Sequence, residues 1–242
     1  MQNTGFKNEH DLYTAINGKY LYQLNTNLKN LILKLSDCNE NQIIKAIKKG
    51  GQCKPDIEII INNISYNISI KRGSGNSVHQ EPLNVFIEFL KDNTDINDKE
   101  INCIKLFIWS DGSYDNSGQI SDRLDLNEMS KKYPDENNLL SKFFDRNKET
   151  LIKRFLKTGR FQNQPEADYL YYGNVNEGCL KKMNNVIEFL VSKIGSGKLN
   201  IGNLSFQAWN IVKNGNPKTE NRRGVIQLKW SSIKKDLQYI EE

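Results

Sequence analysis

The feature that most constrains the fold of this chain is a pair of alternating apolar segments separated by Asn62-Asn63. Every second residue on either side of that pair is isoleucine or tyrosine: Ile57, Ile59 and Ile61, then Ile64, Tyr66, Ile68 and Ile70. A period of two is typical of strands with one buried face. A two-residue turn requires positive φ at both central positions, which asparagine tolerates. The pattern therefore predicts a β-hairpin whose isoleucine face packs against a core.

The register of this hairpin brings polar side chains together on its other face. The turn sets Ile61 opposite Ile64. The same register places Asp56 opposite Ser69, and directly opposed residues have Cβ atoms roughly 4.5–5.5 Å apart. Lys71 shares the face of Ser69, because side chains alternate along a strand. A carboxylate and an amine are therefore expected at neighbouring strand ends.

A carboxylate beside a lysine at a strand end can support hydrolysis of a phosphodiester. Mg²⁺ prefers oxygen ligands, retains several waters, and is usually held by one or two carboxylates together with substrate phosphate. The cation lowers the pKa of its bound water and neutralises charge that develops on phosphorus. A partly desolvated lysine can orient or deprotonate the attacking water. Asp56 and Lys71 are therefore predicted catalytic residues, with Mg²⁺ as the cofactor. The alternative is that both are ordinary surface charges at strand ends.

Pro55-Asp56 followed by Ser69-Ile70-Lys71 resembles the PD-(D/E)XK motif of nucleases. Within that superfamily the chain resembles the small type II restriction endonucleases of the MspI kind and their relatives. The resemblance implies that Asp56 and the backbone carbonyl of Ile70 bind the cation. Ser69 stands where the motif usually has an acid, although some of these enzymes have Asn or Gln there. It would contribute only a hydrogen bond to a metal-bound water, so the number of metal ions is left open.

The segment FKNEHDL near the N-terminus is similar to the opening of the same enzymes. An acid on the first helix of that fold often faces the active site, so the resemblance implies a catalytic role for Glu9. The alternative is an acid in a first helical turn, where the helix macrodipole favours it. The sequence leaves open whether Glu9, Glu58 or Glu81 replaces the acid missing at Ser69.

Periodicity along the rest of the chain predicts an α/β (α+β) fold. The resemblance implies a PD-(D/E)XK restriction-endonuclease-like core, with a central mixed β-sheet flanked by helices. Helices are predicted at residues 9–24, 28–35, 42–49, 77–90, 139–157 and 181–194. Strands besides the hairpin are predicted at 101–109, 168–172, 199–201, 205–212 and 225–230, with a long loop at 110–138. We expect a single domain, 1–242, with residues 1–172 mainly catalytic and residues 173–242 recognising DNA.

Two segments have the composition of nucleic-acid contacts. Gly73 and Gly75 permit close backbone approach to a phosphate at a helix N-terminus, which makes Ser74, Asn76 and His79 predicted DNA contacts. The basic loop 213–224 and the strand after it supply the others: Lys213, Asn214, Asn216, Lys218, Arg222, Arg223 and Gln227. Arginine can pair with guanine, asparagine and glutamine with adenine, and lysine with phosphate. Alternatively, the first segment is a plain connection and the second a solvated turn.

Composition narrows the class of protein. The 242 residues include 34 Lys and Arg against 29 Asp and Glu, a net charge of +5 that is compatible with a nucleic-acid partner without requiring one. No stretch approaches the roughly 18 apolar residues of a membrane span, and the polar N-terminus is unlike a secretory signal. Four cysteines without CxxC spacing indicate reduced thiols and a cytoplasmic location. Two histidines give a zinc site little to build on.

The resulting expectation is a type II restriction endonuclease that hydrolyses double-stranded DNA at a specific site with Mg²⁺. A DNA methyltransferase would be its genetic rather than physical partner, and the choice between monomer and homodimer is left open. One alternative is a repair or structure-specific DNA nuclease. Another is a catalytically inactive DNA-binding protein of the same fold, which the serine at Ser69 favours. Neither the recognition sequence nor the cleavage stagger can be read from the chain.

Overall fold

The computed structural model describes residues 4–50, 53–74, 76–161, 163–195 and 199–241. The chain separates into two compact units, each assembled from separate stretches. The first unit contains Met1–Asn76, Leu156–Phe189 and Ser232–Glu242, and the second contains Ser77–Phe155 and Leu190–Ser231. The expected division into a catalytic part and a DNA-recognition part stays a prediction.

The secondary structure alternates between the two types along the chain. The strands are β1 (Lys19–Tyr20), β2 (Ile43–Lys48), β3 (Ile57–Ile61), β4 (Ile64–Lys71), β5 (Asn76–Pro82), β6 (Tyr169–Gly173), β7 (Gly178–Lys182), β8 (Asn200–Ile201), β9 (Leu204–Ala208) and β10 (Val225–Trp230). The α-helices are α1 (Thr4–Ile16), α2 (Thr26–Leu35), α3 (Leu83–Asn93), α4 (Asp98–Trp109), α5 (Leu126–Lys132), α6 (Pro134–Arg146), α7 (Lys148–Lys153), α8 (Met183–Val191) and α9 (Ile233–Asp236). Short 3₁₀ segments lie at Leu21–Gln23, Ile120–Asp122 and Pro217–Arg222, and Arg154–Thr158 is π-helical.

The first unit is organised around a mixed sheet with the strand order β1-β2-β3-β4-β6-β7. Neighbouring strands are antiparallel except β4 and β6, which are parallel. The β3–β4 hairpin has the predicted register, with Ile61 opposite Ile64. Asn62 and Asn63 have φ of 51° and 63°, as the two-residue turn requires. The hairpin is confirmed, and so is a central mixed sheet flanked by helices.

The isoleucine face of the hairpin packs against α1 and α2. One cluster of buried side chains joins the hairpin to those helices: Ile57, Ile59, Ile61, Ile68 and Ile70 with Leu12, Ile16, Leu28 and Ile32. Burying one such side chain stabilises a fold by roughly 1.5–3 kcal/mol. The two strands are therefore held firmly, and the polar groups at their ends, Asp56 and Lys71, are carried on a rigid support.

The second unit has a sheet in the order β5-β10-β9-β8 together with α3 to α7. An aromatic cluster lies in its core. Phe86 of α3 lies 5.8 Å, between ring centroids, from both Phe155 and Phe206. Phe144 of α6 lies 4.8 Å from Phe206 of β9. These contacts hold helices onto this sheet independently of the hairpin core.

Two of the predicted elements are wrong in type. Residues 42–49, predicted as a helix, form strand β2, because Ile44 and Ala46 alternate into the core. Residues 101–109, predicted as a strand, belong to helix α4. Asn97 and Glu100 form a capping box at its N-terminus, in which each side chain accepts a hydrogen bond from the other's backbone N–H.

Other predictions are wrong in their boundaries. The helix expected at 9–24 ends at Ile16, and the one expected at 77–90 begins only at Leu83, after β5. The loop expected at 110–138 contains α5 and the start of α6, and the helix expected from 181 begins at Met183 after β7. Within the residues that the structure describes, no helix is both long and apolar enough to cross a membrane.

Candidate active site

Asp56 lies immediately before β3, and its carboxylate accepts three hydrogen bonds from the end of β4. One carboxylate oxygen, Oδ2, lies 3.3 Å from Ser69 Oγ, 2.5 Å from the Ile70 backbone nitrogen and 3.4 Å from Lys71 Nζ. All three donors come from consecutive residues, because the register brings Asp56 beside the end of the neighbouring strand. The described residues give Oδ1 no hydrogen-bond donor, so this oxygen is available for a cation.

Lys71 ends β4 and points its ammonium group into the same site. Nζ donates to Ser69 Oγ at 3.0 Å and to the Ile70 carbonyl oxygen at 2.8 Å, besides its contact with Asp56. Its side chain is 17% exposed and that of Asp56 is 20% exposed. The ammonium therefore holds the carbonyl that was predicted to bind a metal ion. A cation at this carbonyl would have to displace it.

Glu9, in α1, lies within the electrostatic reach of this pair. Burial and the neighbouring Asp56 carboxylate raise the pKa of Glu9 from its ordinary value of 4.5 to about 7, while Lys71 and Lys48 act in the opposite direction. Helix α1 begins at Thr4, so Glu9 lies beyond the first turn and the macrodipole does not account for its position. A half-buried acid whose pKa is raised by burial and by a second carboxylate would be stabilised in its charged form by a cation.

The other two acids that the sequence left open have different partners. Glu58 forms an ion pair with Lys49 at 2.6 Å, and the hydrogen bond from Lys49 lowers its pKa. Glu81 belongs to the second unit, where it is fully buried between His79 and Arg154. Of the three acids, Glu9 is therefore the one whose pKa the Asp56 carboxylate affects.

The donors present at this site fit Mg²⁺. Among the described residues there is no group of three or more His, Cys, Asp and Glu side chains that could hold a metal ion. Mg²⁺ does not need one, because it retains waters and usually takes one or two carboxylates plus a substrate phosphate. Asp56 Oδ1 and the Glu9 carboxylate are oxygen donors of that kind, and the Ile70 carbonyl becomes one only if the Lys71 ammonium group leaves it. The serine at Ser69 adds a hydroxyl and no charge.

The glycine-containing connection after β4 was predicted to contact DNA through Ser74, Asn76 and His79, and the structure places these residues differently from one another. Ser74 is exposed and available for a contact. Gly75 lies outside the described residues; Asn76 opens β5, and its side chain is likewise outside the description. His79 is 7% exposed, pairs with Glu81 at 3.0 Å and packs against the Phe155 ring in a tilted arrangement. Its burial corrects the expectation that it contacts DNA.

The basic loop 213–224 is partly a 3₁₀ helix and keeps several exposed polar groups. Lys213, Asn214, Asn216, Lys218 and Arg222 are exposed. Lys213 forms an ion pair with Glu128 at 2.5 Å, and Asn216 caps the 3₁₀ helix by accepting from the Lys218 backbone nitrogen. Arg222 lies over the Trp209 ring at 5.2 Å. This surface remains a predicted nucleic-acid contact.

Two predicted base contacts are instead structural. Arg223 is buried, and its guanidinium donates to the Trp109 and Ile211 carbonyl oxygens, at 2.8 and 2.7 Å, and to Asp111 Oδ2 at 3.1 Å. Gln227 is 5% exposed and bonds to Ser77 and Gln207. Neither side chain reaches the surface, so the expectation that they read guanine and adenine is corrected.

Sequence reasoning missed Lys48, whose charge acts on Glu9. Residues 42–49 were expected to form a helix, and a helix would not have aligned Lys48 with the hairpin. As part of β2, Lys48 pairs with Ile57, next to Asp56. The alternation of Ile44 and Ala46 was the signal that could have identified the strand.

No protein-family model matches the chain, and no curated protein is significantly similar to it. The function of the site is therefore argued from its own geometry and from the resemblance of its residues to the PD-(D/E)XK motif.

Proposed function

We propose that the protein is a Mg²⁺-dependent nuclease acting on double-stranded DNA, with a PD-(D/E)XK-like core. The observation that carries the proposal is the convergence of Asp56, Ser69 and Lys71 within 3.4 Å at the adjacent ends of β3 and β4. Glu9 lies close enough for the charges of Asp56 and Lys71 to act on its pKa. These are the groups that a metal-assisted phosphodiester hydrolysis requires. Within this class we assign the chain to the type II restriction endonucleases, as the Pro55-Asp56 and Ser69-Ile70-Lys71 motif suggests.

Each side chain of the site has a different role in the proposed reaction. Asp56 Oδ1 and Glu9 would hold the cation, which when bound acidifies a water and neutralises charge on the phosphate. Lys71 Nζ donates to Ser69 Oγ and to the Ile70 carbonyl oxygen. From this position its ammonium group would orient the attacking water. The Ile70 N–H and the Ser69 hydroxyl keep the Asp56 carboxylate in place through Oδ2.

Incubation of supercoiled plasmid with the full-length protein and Mg²⁺ tests the proposal. We expect cleavage by the wild type, and its loss with EDTA and in the Asp56→Asn and Lys71→Met variants. Duplex binding should persist in both variants, because neither removes the exposed basic groups. Glu188→Gln, on the exposed part of α8, is the matched control and should cut as the wild type does. Cleavage by Asp56→Asn at the wild-type rate would refute the site.

A second candidate is a nuclease that recognises DNA structure rather than sequence. It is favoured by the burial of Arg223 and Gln227, which removes two of the predicted base contacts, and by the burial of His79, another predicted DNA contact. The same plasmid assay separates the candidates. Discrete fragments indicate a site-specific enzyme, and a smear or preferential cutting of branched DNA indicates the second candidate. Binding without cutting indicates an inactive DNA-binding protein, which Ser69 and the Lys71–Asp56 ion pair favour.

A further inference from the structure

A groove in the first unit adjoins the end of β4 where Lys71 lies. Its volume is about 530 Å³, and its lining includes Arg72, Tyr172, Lys181 and Lys234. Arg72 follows Lys71 directly. Tyr172 pairs with Lys71 in the parallel β4–β6 register, and its hydroxyl donates to the Gly73 carbonyl at 2.9 Å. The groove therefore begins beside the proposed catalytic lysine.

The three basic side chains come from three different elements. Arg72 follows β4, Lys181 belongs to β7 and Lys234 to α9. Within the described ranges none of them forms an ion pair with a carboxylate. Lys181 Nζ donates to the Ile240 carbonyl, which fixes the ammonium group without cancelling its charge. Glu177 is the acid in the lining, so the groove carries an excess of two positive charges.

We infer that this groove binds the phosphodiester backbone of the DNA strand next to the bond that is cut. The inference rests on the proposed nuclease function. Neighbouring strands lie about 4.7–4.9 Å apart, so Tyr172 places the groove close to Lys71. A DNA strand carries one phosphate for each 3.4 Å or so of helix axis. Phosphates adjacent to the one at Lys71 would therefore fall within the reach of Arg72, Lys181 and Lys234.

The chain offers control positions in exposed lysines that lie next to two of the groove residues but outside its lining. Lys182 follows Lys181 on β7 and is exposed, but it does not line the groove, because successive side chains point to opposite faces. Lys235 follows Lys234 on α9 and is likewise exposed and outside the lining. Arg72→Gln combined with Lys234→Gln is therefore compared with Lys182→Gln combined with Lys235→Gln. Each pair removes two charges from exposed side chains.

Binding of a short fluorescein-labelled DNA duplex is measured by anisotropy over a range of salt concentrations, in the Asp56→Asn background. The slope of log K against log salt is negative, and each lost phosphate contact reduces its magnitude by roughly 0.9. We expect the Arg72→Gln and Lys234→Gln pair to reduce the magnitude by roughly 1.8. The control pair should leave the slope close to that of the parent. Equal slopes for the two pairs, or no binding of duplex by the parent, would overturn the inference.

This test and the plasmid assay have separate outcomes. If the wild type cuts plasmid and the two double variants have equal slopes, the nuclease assignment stands and the groove does not bind backbone. If the wild type does not cut plasmid but only the groove pair reduces the salt dependence of duplex binding, the groove binds duplex and the nuclease assignment fails. In an active enzyme the groove pair should raise the KM for plasmid and leave kcat close to wild type, because its residues touch flanking phosphates only.

Discussion

Glu9 supplies the most direct test of the site, because its protonation should control cation binding. Its pKa of about 7 means that the free protein holds a proton on Glu9 near neutrality. A cation can use the carboxylate only after that proton leaves. About a tenth of Glu9 is ionised at pH 6 and about nine-tenths at pH 8. The apparent affinity for the cation should therefore rise up to roughly tenfold across this interval.

Mn²⁺ serves as the probe, since it takes the same oxygen ligands as Mg²⁺ and free Mn²⁺ is measured by EPR. Glu9→Gln should bind more weakly and lose the pH dependence. The charged groups that act on Glu9 are Asp56, Lys71 and Lys48. His10, its exposed neighbour, is the position of an additional control substitution that leaves Glu9 in place. His10→Gln should keep the wild-type profile. An affinity that does not change between pH 6 and 8 would refute the assignment of Glu9.

The same pKa makes a prediction about stability that needs no cation. In the unfolded chain Glu9 ionises near 4.5, whereas in the folded protein it keeps its proton up to about pH 7. Unfolding therefore releases a proton between these values, and the free energy of unfolding falls as pH rises through this window. Glu9→Gln removes the effect. The variant should gain stability over the wild type from pH 4.5 to 7 and keep that gain at higher pH, as measured by urea denaturation.

Two further predictions concern stability. One compares the buried Arg223 with the exposed Arg222, and the other concerns Asn63 in the hairpin turn. Arg223→Ala should lower the free energy of unfolding by about 3 kcal/mol or more, because it leaves buried Asp111 without its ion-pair partner. Arg222→Ala should change the free energy of unfolding by no more than about 0.5 kcal/mol. The Arg222→Ala variant should instead bind duplex DNA more weakly. Both are measured by urea denaturation and anisotropy, and equal stabilities would contradict the assignment of Arg223. Asn63→Val should cost about 1–3 kcal/mol, because a β-branched residue is strained at a φ of 63°, and Asn63→Gly, which accepts that φ, should unfold near the wild-type midpoint.

The hairpin could be predicted because all of its determinants are local. The alternation of isoleucines, the Asn62-Asn63 turn and the register follow from consecutive residues, and they were enough to place Asp56 beside Ser69 and Lys71. Helix α4 was missed for a different reason. Its run of buried residues faces other elements on most sides, and periodicity does not distinguish a buried helix from a buried strand.

Which arginine of the basic loop is buried and which is exposed depends on contacts between residues far apart in sequence. Arg222 and Arg223 are adjacent and chemically identical, and the sequence predicts the same role for both. Arg223 is buried because Asp111 and the Trp109 carbonyl, far away along the chain, accept its hydrogen bonds. Arg222 lies on the surface over Trp209. Only the tertiary structure assigns one arginine to the core and leaves the other for a partner.

The serine at Ser69 and the acid at Glu9 can be understood together. Ser69 Oγ lies 3.3 Å from Asp56 Oδ2, so a carboxylate in its place would set two negative charges at hydrogen-bonding distance. The hydroxyl avoids this repulsion, because it donates to Asp56 and accepts from Lys71. Glu9 brings the second carboxyl group from α1, a separate element, and burial, with the Asp56 charge as the second cause, raises its pKa to about 7. A bound divalent cation would reverse that balance by stabilising both carboxylates at once. A serine at the position where the PD-(D/E)XK motif usually has an acid is therefore compatible with the proposed site, which would take its second carboxylate from the first helix.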